Sequence, residues 1–141
     1  MNLNQFARRM TVRAGKVSKN TDGLVKKVIL AVDQAVVLAT PVDTGRARAN
    51  WRPSLGTIDT TVLPEPSSAG AGLRQALQDG EDIARSYQGG NNSPTVHITN
   101  SLPYIQYLND GSSKQAPVNF VGTAILLALS AIRGARITDV R

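Results

Sequence analysis

The chain contains one triplet that occurs in catalytic sites, Asp43-Thr44-Gly45. In aspartic proteases two such triplets face each other, so that the paired carboxylates share a proton. This chain has one copy, with Pro41 close before it and Arg46 directly after, where that class has an apolar strand and a small residue. We therefore interpret the triplet as a turn, in which Asp43 accepts backbone hydrogen bonds and Gly45 supplies an unusual dihedral angle.

The remaining sequence shows no recognisable catalytic or metal-binding pattern. Cysteine is absent, which excludes disulfides and thiolate chemistry. The single histidine, His97, has no carboxylate close in sequence and is predicted to be an ordinary surface residue. Gly70 and Gly72 are not followed by the Lys-Ser/Thr pair of a phosphate-binding loop. We therefore expect no enzymatic activity, no metal and no cofactor.

Length and composition indicate one globular domain over residues 1–141. The chain has 41% hydrophobic and 18% charged residues, which is typical of a folded protein rather than a disordered one. No apolar run is long enough to cross a bilayer, and the first ten residues lack the apolar core of a signal peptide. We expect a protein made and used in a cytoplasm, or in a particle assembled there, without a membrane partner.

Charge is unevenly distributed along the chain. The net charge is +6, made up of +7 in residues 1–52, −4 in residues 53–110 and +3 in residues 111–141. A basic end and an acidic middle suit head-to-tail contacts between copies, because opposite potentials attract and fix register. The alternative is nucleic-acid binding through the basic amino-terminal part.

The hydrophobic pattern predicts an α+β fold with a small, mostly antiparallel sheet packed against three main helices. The predicted long helices begin at Thr21, Leu73 and Phe120 and end at Pro41, near Tyr87 and before Gly134. A short helix is predicted over about residues 3–10, within a basic arm that covers about residues 1–19. A short basic tail is predicted over about residues 134–141.

Three strands are predicted from alternating polarity. The first covers residues 46–55, with Trp51 as its core anchor and Arg46, Arg48 and Arg52 on its outer face. The second, Ile58 to Leu63, pairs with the first through a turn near Gly56. The third, Thr95 to Asn100, points Val96 and Ile98 inward and Thr95, His97 and Thr99 outward.

The segment from Leu102 to Pro117 holds two of the three tyrosines, Tyr104 and Tyr107. Its apolar spacing predicts a single helical turn against the core, which ends at Asn109-Asp110-Gly111 because glycine tolerates the left-handed conformation. The polar stretch that follows, through Gln115 to Pro117, is predicted to be extended. Such a segment is either a connector between a strand and a helix or an ordered loop presented to a partner.

Two motifs in this chain carry a resemblance to a known family. They are T-P-V-D-T-G-R-x-R-x-N-W at Thr40 to Trp51 and L-P-Y-x-x-x-L-x-D-G-x-S-x-Q-A-P at Leu102 to Pro117. Together they resemble the small neck and tail-completion proteins of long-tailed bacteriophages, the family typified by the minor tail protein Z of phage lambda. Residues 53–93 carry no part of this resemblance.

The resemblance implies a structural virion protein without enzymatic activity. Copies would form a ring, with a hexamer expected, at the head-tail junction or the upper end of the tail, around the channel for genomic DNA. The partners would be further copies and the neighbouring neck and tail-tube proteins, and the location the virion, after assembly in the host cytoplasm. A basic DNA-binding accessory protein remains the alternative. The residues expected to shape the contact faces, or simply to specify the fold, are Asp43, Thr44, Gly45, Arg46, Arg48, Trp51, Arg52, Tyr104, Tyr107, Asp110, Gly111, Gln115 and Pro117.

Overall fold

The structure is a computed structural model that describes residues 12–13, 19–89, 94–112 and 117–133. Its fold is α+β, as the sequence predicts. The helices are α1 (Lys19–Ala39), α2 (Arg46–Ala49), α3 (Ala69–Ser86), α4 (Ile105–Tyr107) and α5 (Phe120–Arg133), and a π-type turn (Leu108–Ser112) follows α4. The strands are β1 (Val12–Arg13), β2 (Trp51–Leu55) and β3 (Thr95–Asn100).

The sheet is antiparallel, with the strand order β1-β3-β2. Strand β3 is central: it pairs with β2 in a register that sets Trp51 opposite Asn100 and Leu55 opposite Val96. The two residues of β1 pair with the start of β3 on its other side.

Helix α1 is the centre of the helical layer, because it packs against both α3 and α5. Its apolar residues recur at spacings of three and four, which puts Val25, Ile29, Val32 and Val36 on a buried stripe. The largest cluster of buried apolar residues joins this stripe to Trp51 of β2 and Phe120 of α5. The three predicted long helices are confirmed, with α3 beginning four residues earlier than expected. Ser68 causes that early start, because its hydroxyl accepts a hydrogen bond from Ala71 N (3.0 Å) and caps the helix.

The predicted strand over residues 46–55 is present only in its second half. Residues Arg46–Ala49 form the short helix α2, and the strand begins only at Trp51. Alanine and arginine favour helix over strand, and Gly45, with φ of 88°, turns the chain into that helix from α1. As a result, Arg46 and Arg48 do not share a strand face with Arg52.

The other strand predictions also need correction. Ile58–Leu63 is not a strand, and β2 pairs with β3 instead of forming a hairpin with that segment. Strand β3 is confirmed, but Thr99 is buried rather than outward. The predicted short helix over residues 3–10, most of the basic arm, the basic tail and Gln115 lie outside the described residues.

No helix in the described ranges is both long enough and apolar enough to cross a membrane.

An unpaired carboxyl group lies at the contact between α1 and α3. Asp33 is 1% exposed, and neither carboxyl oxygen has a hydrogen-bond partner in the described part of the chain. The facing residue is Gly80, where any Cβ atom would overlap the Asp33 carboxyl. Burial, with a smaller contribution from the charge of Asp79, raises the pKa of Asp33 to about 8. Asp33 is therefore mainly protonated at neutral pH.

This arrangement makes stability depend on pH in a definite direction. Because the folded-state pKa of Asp33 is raised above its ordinary value of 3.8, the folded chain holds a proton that the unfolded chain releases. The associated stability is complete below pH 3.8 and is lost progressively as pH rises from there to about 8. We expect the free energy of unfolding to fall by a few kcal/mol, in order of magnitude, between about pH 5 and pH 9.

Urea unfolding across that pH range measures the effect. Asp33→Asn should flatten the dependence, since an amide of nearly the same shape does not titrate. Asp43→Asn is the matched control, because Asp43 is exposed, and it should retain the wild-type slope. An unchanged slope in Asp33→Asn would contradict the assignment.

Candidate interaction surface

The first motif forms a hydrogen-bonded junction between the end of α1 and the start of β2. The Trp51 Nε1–H donates to the hydroxyl of Thr40 (2.8 Å), and that hydroxyl donates to Val36 O in the last turn of α1 (2.6 Å). Thr40 and Trp51 are both buried. The indole ring is packed in the core, as the sequence predicted for Trp51. The hydrogen bond to Thr40 also fixes its position.

Arg48 caps the carboxyl-terminal end of α1. Its Nε donates to Thr40 O (3.1 Å) and its Nη2 to Leu38 O (3.0 Å). The last carbonyl groups of a helix have no partner within the helix, and a cation there also complements the helix dipole. Partial burial lowers the pKa of Arg48. A guanidinium group keeps its charge in proteins.

The turn at residues 43–45 packs tightly against α3. The Thr44 hydroxyl accepts a hydrogen bond from Arg46 N (3.3 Å). The side chain that binds the backbone of this turn is therefore that of Thr44, whereas the sequence predicted Asp43, which is exposed. Gly45 lies against Ala69 at the start of α3, where a Cβ atom would overlap the Ala69 backbone. The positive φ and this close approach both require glycine. The triplet therefore serves as a turn within the fold.

Asn50 holds the irregular segment 57–66, which we name the strap, alongside β2. Leu63 N donates to Asn50 Oδ1 (2.6 Å), and Asn50 Nδ2 donates to Arg46 O (2.8 Å) and Leu63 O (3.2 Å). Arg46 Nε also donates to Leu63 O (3.1 Å). One end of the strap is thus fixed to α2 by two side chains of the first motif.

Arg52 and Ser54 fix the rest of the strap. Arg52 forms ion pairs with Asp59 of the strap (3.4 Å) and with Asp79 of α3 (2.6 Å). Hydrogen bonds from Thr61, together with the nearby Arg52, lower the pKa of Asp59. Ser54 Oγ donates to Thr57 O (2.6 Å). All three arginines of the first motif therefore bind groups within their own chain instead of forming an open basic face.

The second motif folds into a compact bend, residues 101–112, which we name the elbow. Leu102 and Ile105 are buried, and Leu102 N donates to Asn100 Oδ1 (3.1 Å). Asn109 then joins the elbow to α5: its Oδ1 accepts from Val121 N (3.1 Å) and its carbonyl from Asn119 N (2.6 Å). The predicted helical turn and its end are present.

Gly111 ends the elbow with φ of 99° and lies against Val118. The predicted left-handed glycine is therefore confirmed. Asp110 and Pro117 are exposed beside it.

The elbow carries large apolar side chains outward. Tyr104 is 39% exposed and Tyr107 68%, so the tyrosines do not pack into the core as their spacing suggested. Val118, which lies against Gly111 of the elbow, is 67% exposed. The strap exposes two more, Ile58 at 44% and Val62 at 42%. These five residues define what we call the apolar surface.

Elbow and strap are neighbours in space. A cavity of about 350 Å³ lies between them, lined by Thr60 of the strap and by elbow residues that include Pro103 and Gln106. The elbow residues that line the cavity flank Tyr104 in sequence. The strap and the elbow therefore meet at a recess large enough for a side chain of another molecule.

Sequence reasoning missed the three asparagines that build this arrangement, Asn50, Asn100 and Asn109. Each is buried, and each bonds backbone groups: Asn100 Nδ2 donates to Ala47 O (2.9 Å). A buried amide must find partners. A local signal existed for Asn50 alone, which lies between Ala49 and Trp51.

Comparison with known proteins finds no matching family model, no matching curated protein and no matching solved structure.

The junction between Thr40 and Trp51 can be tested by a double-mutant cycle. Trp51→Phe and Thr40→Val should each destabilise the chain by about 2 kcal/mol, because each leaves a buried polar group without its partner or removes packed volume. The stability lost in the double variant should be smaller than the sum of the two single losses by about 1 kcal/mol.

Urea unfolding of the four chains measures this coupling. Thr123→Val, an exposed threonine of α5, is the matched control and should change stability by less than about 0.5 kcal/mol. Strict additivity of the two core substitutions would contradict a direct bond between them.

Proposed function

We propose that this chain is a structural virion protein of a tailed bacteriophage, in which several copies form a ring at the head-tail junction or the upper end of the tail. The resemblance of the two motifs to neck and tail-completion proteins supports the identity. The apolar surface is the observation that carries the proposal. Exposed tyrosines in particular are enriched at protein interfaces.

The two motifs have different roles in this proposal. Residues of the first motif bind groups within their own chain, so they specify the fold and hold the strap. The second motif anchors the elbow with Leu102, Ile105 and Asn109, and projects Tyr104 and Tyr107 outward. The first motif therefore holds the strap in place, and the second motif supplies the exposed tyrosines of the apolar surface.

The proposed mechanism is geometric. Each copy offers the apolar surface to a neighbour, and repetition of the same contact closes a ring when the rotation between copies permits it. Six copies would match the symmetry of a tail. The ring would meet the neighbouring neck and tail-tube proteins on its upper and lower sides, and genomic DNA would pass through its centre.

DNA binding is the competing function, since residues 1–21 contain Arg8, Arg9, Arg13, Lys16 and Lys19 and no acidic residue. Arg46, Arg48 and Arg52 are already bound within the chain, so DNA contacts would depend on the amino-terminal part. Such binding by the isolated chain would weaken steeply with salt.

A variant of the elbow tests the proposal. In the phage that encodes this chain, a defective gene copy would be complemented with wild type or with Tyr104→Ser/Tyr107→Ser. Because both tyrosines are exposed, the double variant should stay folded, with a Tm within a few degrees of wild type. It should nevertheless be missing from purified particles, and infectivity should fall by at least about tenfold, as expected when central interface residues are lost.

Leu126→Ser/Leu127→Ser is the matched control, because these α5 residues are 67% and 66% exposed and belong to neither the elbow nor the strap. This control should be incorporated normally. Normal incorporation of the folded tyrosine variant would contradict the role of the elbow. Salt-sensitive DNA binding by a chain that is absent from particles would instead support the competing function.

A further inference from the structure

The strap has the sequence of a β-strand but no strand partner in the described part of the chain. Five of its first six residues are β-branched: Thr57, Ile58, Thr60, Thr61 and Val62. Such residues favour strands, and the sequence predicts one here. The structure instead leaves the segment irregular on the surface.

Hydrogen bonds also fix the strap at two points. Its ends are fixed by the bonds of Thr57 to Ser54 and of Leu63 to Asn50 (both 2.6 Å). Between these ends, the backbone groups of Ile58, Thr60 and Val62 make no hydrogen bond to any described residue. Thr61 N, by contrast, donates to Asp59 Oδ1 within the strap (2.9 Å). Unpaired backbone donors and acceptors in a segment fixed at two points can be completed by an added strand.

We propose that the strap of one copy binds residues 1–11 of a second copy as an added antiparallel strand. This inference rests on the self-association proposed above and identifies one of its contacts. Strand addition would give the strap the pairing that its composition favours, and would cover Ile58 and Val62. In such a contact the segment would pair as a strand instead of forming the short helix that the sequence predicts over residues 3–10.

Charge favours this occupant. The strap contains no basic residue, and beside Asp59, which is paired with Arg52, it carries the exposed Glu65. The first 21 residues of the chain are basic without any acidic residue. Opposite charges on the two segments favour contact between copies and disfavour contact between two straps.

Spacing favours a particular register. Ile58 and Val62 are four residues apart, which puts them on the same face of a strand. Phe6 and Met10 have the same separation. In an antiparallel pair, Phe6 can therefore lie opposite Val62 while Met10 lies opposite Ile58. Directly opposed residues have Cβ atoms about 4.5–5.5 Å apart, close to the separation that a disulfide spans.

Disulfide trapping tests the contact cleanly because the natural chain has no cysteine. An isotope-labelled Phe6→Cys chain would be mixed with an unlabelled Val62→Cys chain under mild oxidation, and cross-linked peptides would be identified by mass spectrometry. We expect the 6–62 link between labelled and unlabelled chains. It should exceed the mismatched link from Phe6→Cys to Ile58→Cys by at least about tenfold, because only the matched pair satisfies disulfide geometry.

A chain that carries both Phe6→Cys and Val62→Cys identifies the occupant. If its disulfide closes within one chain at low concentration, the segment binds its own strap and the inference is overturned. Equal yields from matched and mismatched pairs would also overturn it.

Deletion of residues 1–11 separates this inference from the proposed function. Assembly would be followed by sedimentation velocity and electron microscopy, and folding by circular dichroism. We expect the truncated chain to stay folded and to lose assembly. Rings formed by the truncated chain would overturn the strand addition while leaving the ring function standing.

Discussion

The hydrogen bond between the Trp51 indole and the Thr40 hydroxyl is the constraint on which the other features of this fold depend. The chain must reverse from α1 into β2 within eleven residues, and this bond joins the two ends of that reversal. Arg48 caps α1 from inside the same turn. With that geometry set, Gly45 meets the start of α3 and Asn50 reaches the strap. A short segment thus positions two helices, one strand and one surface.

Electrostatics explains why the candidate interaction surface is apolar although the chain is basic. The arginines that the sequence suggested as a contact face are directed inward: Arg46 to Leu63, Arg48 to the end of α1, and Arg52 to Asp59 and Asp79. Hydrogen bonds to charged groups at partly buried positions are stronger than exposed ion pairs. These side chains stabilise the strap and the turn before β2, so the candidate interaction surface consists of exposed tyrosines and aliphatic residues.

The sequence predicts the long helices well because each has a continuous apolar stripe, and it predicts β3 from its alternation. It fails where one pattern fits two structures. Ala47 and Ala49 alternate with arginines as in a strand, yet one helical turn buries the same alanines. Ile58–Leu63 has strand composition, but a strand also needs a partner, and pairing depends on distant parts of the chain.

The candidate surface was only partly predictable for a similar reason. Gly45 and Gly111 follow from turn chemistry, which is local. The outward position of Tyr104 and Tyr107 does not, since their spacing suits a buried helical turn equally well. The partners of Asn50 and Asn109 lie 12 or 13 residues away, and no local pattern identifies them.

The central claim is that this chain joins parts of a virion, and electron microscopy of a lysate tests it most directly. The lysate would come from a phage that carries a stop codon early in the gene for this chain. Our account predicts filled heads and finished tails that lie separately, with joining restored when the wild-type chain is supplied. Intact infectious particles formed without the chain would contradict it.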